Sequence, residues 1–336
     1  MKGASALFRF LNDAAARGER TALVTITGVV GQSSRAPGTH MAVAESGTYH
    51  GSLSGGCVEA AVVGEALRIM KSCIPECVRF GAGSPYIDIR LPCGGGLDLL
   101  IIPDPAQESI KAAQRMLDGR VAVALVVGRD GGLATEEIHA STIGWRGNAF
   151  VAHHHPDLRL VIVGHGTETE VLAQLAYPYG AQVTVISPDA DLLARVAEWG
   201  VPGFLLKTPA RSDHLRIDGY TAVVMLFHDH DWEPDLIMQA LEQDALFIGA
   251  MGSRTTHARR LAELRSRGVE DVALKRLVGP IGLIPATRDP ETLALSILSQ
   301  IAALYQSLIL ARRLQPASRS TDMENNPLRR VAVRSA

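Results

Sequence analysis

The chain has 336 residues, 47% hydrophobic and 20% charged, and its 33 Lys and Arg against 35 Asp and Glu leave a formal charge of −2. That length holds two domains of ordinary size, the composition suits a soluble globular protein, and the near-neutral charge offers no basic field for nucleic acid. Four cysteines without an export signal read as reduced thiols rather than a disulfide framework.

In chain order, "MKGASALFRFLNDAAARGER" has an apolar stripe but carries Arg9, Asp13, Arg17, Glu19 and Arg20. It reads as an amphipathic helix and not a signal peptide, and a cytoplasmic protein is expected. "RTALVTITGVV" is a β-rich run, and "THMAVAESGTYHGSL" reads as two strands joined across "ESG". The stretch "GSLSGGCVEA", Gly51 to Ala60, then changes the period. Val58, Val62, Ala66 and Met70 mark a helix from about Cys57 to Lys71. A glycine loop running into a helix leaves N–H groups without intrahelical partners, which attract anions and favour thiolate over thiol at Cys57. Cys73 and Cys77 flank Pro75 in "CIPEC", which argues against a shared helical face, and no tight C-x-x-C pair supports a zinc site with Cys57 and Cys93. "LPCGGGLDLLIIP" is a glycine turn feeding a strand that Pro103 ends, followed by a helix, "VAVALVVG" and "EEIHASTI". This half, residues 1–155, is expected to be α+β.

Pro156 in "VAHHHPDLRL" marks the expected boundary. Adjacent residues of an extended chain face opposite ways, so His153, His154 and His155 read as a solvated linker rather than a metal site. From Arg159, strands and helices alternate through "LRLVIVG", "AQVTVIS", "YTAVVMLF" and "ALFIGA", which predicts a Rossmann-like parallel sheet over 156–312. "ETLALSILSQIAALYQSLIL" is about a membrane span long. Leu293, Ile297, Ile301 and Leu308 recur near a helical period among polar residues, so a packed or dimer-forming helix is expected. The tail 313–336 lacks periodicity and is expected to be flexible.

"LVIVGHGTETEVLAQLA" supplies a strand, Gly164, Gly166 and a helix, most of a dinucleotide fingerprint. Thr169 holds the third glycine position, and Ser187 stands where a ribose-binding acid belongs, with Asp189 two residues late. A nucleotide-binding domain and a Rossmann scaffold that no longer binds NAD both remain open. After "TAVVMLF" comes "HDHD", beyond the carboxyl end of a strand, where ligand crevices form. His228 and His230 would share one face of an extended segment, beside Asp229. "GAMGSRTTHARRL" places Gly249, Gly252, Ser253 and Arg254 at a helix start, a cradle for phosphate or carboxylate. The alternative is a turn that merely needs glycine, with Arg254, Arg259 and Arg260 on a wet face.

With "GQSSRAPG", "GSLSGGCVEAAVV", "LPCGGGLDLLI", "VIVGHGTETEVLAQLA", "HDHDWEPDLI", "FIGAMGSRTTHARRL" and "GPIGLIPATRDPETLALSIL" in this order, the chain resembles the xanthine dehydrogenase accessory factors, the XdhC/CoxI family. The resemblance runs from about residue 5 to residue 305. It implies an N-terminal domain with a Gly-Gly-Cys motif, a C-terminal Rossmann domain, and a chaperone of the molybdenum cofactor, in its molybdopterin or nucleotide form. Such a protein holds the cofactor while its terminal sulfido ligand is installed and delivers it to a molybdenum hydroxylase of the xanthine dehydrogenase or aldehyde oxidase type. An apo-hydroxylase and a cysteine desulfurase are the implied partners, a homodimer the implied assembly, and no nucleic acid or membrane partner is expected. Cys57 corresponds to the motif cysteine, a contact for sulfur or molybdenum, and Cys93 falls on the Cys-Gly-Gly segment. The expected cofactor-binding residues are thus Ser52, Ser54, Gly55, Gly56, Cys57, Glu59, Cys93 and Gly94, together with Gly164, Gly166, His228, Asp229, Gly249, Gly252, Ser253 and Arg254. The family's acid soon after "PIGL" is missing from "GLIPATRDP", and Cys73 and Cys77 match no family motif. The alternative function is an NAD(P)-dependent oxidoreductase, against which the incomplete fingerprint stands.

Overall fold

A computed structural model describes residues 3–56, 58–84, 94–138 and 142–314. The expectations placed on Cys57, on Cys93 and on most of the tail therefore lie outside the described residues. By compactness the chain divides into two units, whose continuous parts are Met1–Pro156 and Asp157–Leu310.

In the first unit, α1 (Ala4–Ala16) precedes a five-stranded antiparallel sheet built from β1 (Thr21–Val30), β2 (His40–Ala44), β3 (Tyr49–His50), β4 (Glu76–Gly81) and β5 (Gly96–Pro103), in the order β3-β2-β1-β5-β4. β-Branched Thr, Val and Ile fill β1, as a pleated strand between two neighbours favours. Residues 21–27 of β1 are buried without alternation because both faces of the sheet are covered. Helix α2 (Glu59–Ser72) lays Val62, Ala66, Ile69 and Met70 on one face. On the other face, α1, α3 (Gln107–Asp118) and β6 (Val123–Gly128) bury Phe8, Leu11, Ile110 and Leu125. Each such side chain contributes about 1.5–3 kcal/mol by leaving water. A second sheet, of order β7-β6-β9-β8, adds β7 (Leu133–Glu137), β8 (Gly144–Arg146) and β9 (Ala149–His154).

The solvated-linker expectation for the three histidines is corrected here. β9 pairs with both β6 and β8, so it is an inner strand, and His153, His154 and His155 are all buried. His154 packs edge-on against Phe8, and its Nε2 lies 3.1 Å from Nε2 of His40, whose Nδ1 lies 2.9 Å from the Thr25 hydroxyl. Burial holds His40 neutral, its pKa lowered to about 4.

The second unit is a six-stranded sheet, β12-β11-β10-β13-β14-β15, with every neighbouring pair parallel. Its elements are β10 (Arg159–Gly164), α4 (Thr167–Tyr179), β11 (Gln182–Ser187), α5 (Ala190–Glu198), β12 (Gly203–Leu205), β13 (Thr221–Leu226), α6 (Pro234–Leu241), β14 (Phe247–Ala250), α7 (Arg254–Ser266), α8 (Asp271–Leu274), β15 (Leu277–Val278) and α9 (Pro290–Leu314). Counted within the unit the order is 3-2-1-4-5-6, the doubly wound arrangement whose winding reverses between β10 and β13. Leu172, Ala176, Leu192 and Val196 cover one face together with Ala294, Ile297 and Ile301 of α9. Leu236, Ile237, Leu264 and Leu274 cover the other. By length and composition alone α9 could cross a membrane, yet Ile297 and Ile301 belong to the core of this unit. It also continues to Leu314, taking in the first two residues of the expected tail.

Candidate functional sites

Strand register brings three of the quoted motifs to one end of the first sheet. Val30 and Gly81 both pair with Gly96, while His40 opens β2 and His50 closes β3 at that same end. The connection 31–39 carrying "GQSSRAPG" and the segment that begins at Gly51 therefore leave the sheet at that end, where Gly94 and Gly95 lead into β5. Gly51 lies against the His40 carbonyl, where a Cβ would collide, and its φ of 102° suits glycine. Arg35 ties two of the loops, its Nε donating to the Ser52 carbonyl at 3.3 Å, and among the described residues it has no carboxylate partner.

The backbone N–H groups of Leu53, Ser54, Gly56 and Val58 do not wait for an outside anion. Glu59 turns back under the loop and takes them. Its Oε1 accepts from Ser52 Oγ, Leu53 N and Ser54 N, each at 2.9 Å. Its Oε2 accepts from Ser54 Oγ at 2.7 Å, Gly56 N at 2.9 Å and Val58 N at 3.2 Å, and Gly55 N donates to Ser52 Oγ at 3.0 Å. The glutamate is only 3% exposed. Desolvation pushes its pKa up, but the hydrogen bonds from Ser54 and Ser52 outweigh that and hold it at about 2. The expected phosphate cradle is thus built around an internal carboxylate, and Ser52, Ser54, Gly56 and Glu59 are brought together by one network.

In the second unit, an open crevice of about 280 Å³ lies at the carboxyl ends of β10, β11 and β13, lined by His165, Pro188, Asp189, Asp229 and Trp232. Asp189 reaches it although it comes two residues after the strand. Ser187, fully buried, accepts the Asp189 N–H on its hydroxyl, and Asp189 then caps α5, its Oδ1 accepting from Asp191 N and Leu192 N at 3.0 Å each. Asp229 caps the single 3-10 turn His230–Trp232 by accepting Asp231 N at 3.1 Å. That turn corrects the expectation that His228 and His230 share a face. His228 Nε2 lies 3.3 Å from Glu168 Oε2, while His230 Nδ1 lies 3.4 Å from Glu233 Oε1. Trp232 stacks on Phe227 at 6.1 Å and 12°.

The glycines have structural work of their own. A Cβ on Gly164 would strike the Leu226 carbonyl of the adjacent strand, and one on Gly249 would strike Ile281 and Phe247. At Gly166, φ is 81° and a Cβ would come 3.4 Å from Glu168 Oε2, so a carboxylate already lies over the turn where a dinucleotide phosphate approaches.

At the start of α7, Ser253 caps the helix by accepting Thr256 N at 3.1 Å, and Arg254 stands exposed as its first residue. Arg260 does not share a wet face with it. Its guanidinium is buried, with Nε 2.7 Å from Glu233 Oε2 and Nη2 2.8 Å from the Met251 carbonyl. In sequence Arg260 reads as a wet-face charge and Glu233, His165 and Trp232 do not stand out; only their tertiary partners reveal them. Cys73 and Cys77 are free and exposed. Among the described residues no group of His, Cys, Asp and Glu is arranged to hold a metal ion.

Residues 14–81 match the XdhC and CoxI family, and residues 160–301 match the XdhC Rossmann domain. The chain is 34% identical over 298 residues to the molybdenum cofactor insertion chaperone PaoD of Escherichia coli, covering 89% of this chain and 87% of that protein. It is 23% identical over 219 residues to the E. coli protein YqeB, of which it spans 37%. A solved structure from Bacillus halodurans, described as a xanthine dehydrogenase, superimposes with a TM-score of 0.73 over 89% of this chain and 96% of its own, at 22% identity. That likeness speaks for the fold.

Proposed function

Because the chain belongs to the XdhC and CoxI family, we propose that it is a molybdenum cofactor insertion chaperone. It takes the cofactor as cargo, holds it while the terminal sulfido ligand is installed, and inserts it into a molybdenum hydroxylase of the xanthine dehydrogenase or aldehyde oxidase type. The observation that carries this reading is the near full-length likeness to PaoD. The contact between the first two motif loops through Arg35, with Gly94 and Gly95 entering β5 at the same end of the first sheet, supports it.

Cys57 supplies a soft thiolate to molybdenum or sulfur, a role a hydroxyl performs poorly, and Cys93 is the next candidate. Since Glu59 takes the loop N–H groups, the cation that meets the cargo's phosphate is Arg35, an exposed guanidinium beside Ser52. A cysteine desulfurase provides the sulfur, and the protein works as a cytoplasmic homodimer. The second reading, an NAD(P)-dependent oxidoreductase, draws on the doubly wound strand order; Glu168 over the glycine turn opposes it.

The test is native mass spectrometry of protein purified from a host that makes the cofactor. Retained cofactor in wild type, its loss in Cys57→Ser at unchanged melting temperature, and no hydride transfer with NAD or NADP support the proposal. Robust nicotinamide turnover with any small substrate overturns it.

A further inference from the structure

We propose that the carboxyl-end crevice of the parallel sheet is a ribonucleoside site: Asp189 holds the vicinal 2′,3′-diol, Trp232 and Pro188 receive the base, and Glu168 closes the adjoining phosphate position to anions. The crevice lies where the winding of the sheet reverses, the place where open α/β sheets bind ligands. Its volume of about 280 Å³ falls just below the range for small-molecule sites, roughly 300–1,000 Å³. That accommodates one nucleoside rather than a dinucleotide.

The lining sets the chemistry. Asp189 spends Oδ1 on the two N–H groups of its cap, and Asp229 spends Oδ1 on Asp231 N. The second oxygen of each carboxylate has no partner among the described residues, and both residues line the crevice. His165 Nδ1 is buried without a hydrogen-bond partner on the same wall. Acceptors without a protein partner in this open crevice favour a ligand that brings hydroxyl or amino donors. Trp232, held flat against Phe227, offers a rigid aromatic surface for a planar base.

An anion is excluded next door. The first turn of α4 would ordinarily favour phosphate, but it carries Glu168 and Glu170. Glu170 is paired with Arg195, whereas Glu168 lies over Gly166 with His228 as its one charge partner among the described residues. A phosphate there meets a like charge at a few ångströms. The site therefore keeps the ribose recognition of a nucleotide fold while rejecting the phosphate.

This inference does not rest on the cofactor-delivery reading, because its test uses the purified full-length chain and no molybdenum. Adenosine, cytidine and guanosine, their 2′-deoxy analogues and their 5′-monophosphates are titrated by calorimetry and ligand-observed NMR, with Mg²⁺ alone as a further arm. At least one ribonucleoside is expected to bind, its 2′-deoxy analogue about tenfold more weakly because a charge-assisted hydrogen bond is lost. Its 5′-monophosphate should bind no tighter than the nucleoside. Asp189→Asn keeps a good helix cap, so it should leave the melting temperature in place while weakening the ribonucleoside about tenfold. Glu168→Gln should strengthen the monophosphate about threefold or more and leave the nucleoside unchanged. No ribonucleoside binding at millimolar concentration, equal affinity for the deoxy analogue, a monophosphate that binds wild type tenfold tighter, or Mg²⁺ taking the carboxylates overturns the proposal.

Discussion

Replacing Glu59 with Gln probes the internal carboxylate directly. Its six hydrogen bonds divide evenly, three to each oxygen. Glutamine keeps one acceptor oxygen and turns the other into an NH₂ group pointing at donors. If the amide oxygen takes the place of Oε1, Gly56 N is stranded, while Val58 N keeps a second acceptor in Ser54 Oγ at 3.1 Å and the Ser54 hydroxyl can rotate away. The reverse placement strands Leu53 N and Ser54 N. A buried donor left unmade costs about 1–3 kcal/mol, so the expected loss is about 1–3 kcal/mol in the first placement and about 2–6 kcal/mol in the second. Urea denaturation at pH 7 reads this as a lower midpoint at unchanged slope.

The pH dependence supplies the sign. Glu59 has a folded pKa of about 2 against an ordinary 4.5, so between those values the unfolded chain binds the extra proton. Its contribution is complete above pH 4.5 and is lost as pH falls towards 2. The difference between wild type and Glu59→Gln should therefore narrow over that window. A variant within about 0.5 kcal/mol of wild type at pH 7, or a difference independent of pH, would refute the claim that a buried carboxylate organises this loop.

Arg260→Ala should destabilise the second unit by about 3–5 kcal/mol, because it takes the guanidinium from the buried Glu233 and leaves that carboxylate with only the more exposed His230 at 3.4 Å among the described residues. Arg254→Ala, at an exposed helix start, should leave the melting temperature unchanged while weakening an anionic ligand, as calorimetry with inorganic phosphate would show. His40 is neutral when folded, with a pKa near 4 against 6.5 when free, so stability should decline as pH falls from 6.5 to 4; His40→Gln should flatten that part of the wild-type profile. Arg35→Ala should reduce cofactor retention without changing the denaturation midpoint.

Much of the second unit was legible because strands rich in Val and Ile alternate with helices at regular spacing, and such units have one favoured winding. β12 and β15, at three and two residues, are too short to show a period. The three histidines misled because a run of polar letters hides a strand whose two neighbours, β6 and β8, bury it. The glycine motifs were each visible; that 31–39, Gly51 and Gly94–Gly96 lie at one end of the sheet became visible only through strand register. Glu59 stands in plain sight after the Gly-Gly-Cys motif, yet its role depends on six donors from residues 52–58 folding around it. Arg260 reads as a surface charge until Glu233, 27 positions away, is found beside it.

Delivery is the most direct test of the proposed function. Protein purified with its cofactor would be mixed with a hydroxylase apoenzyme of the xanthine dehydrogenase or aldehyde oxidase type, and the hydroxylase activity gained would be compared with cofactor lost from the chaperone. The account predicts activation in proportion to the cofactor transferred, and none with Cys57→Ser. Activation by free cofactor equal to that by the loaded protein, or a cofactor-free protein that activates equally well, would contradict it.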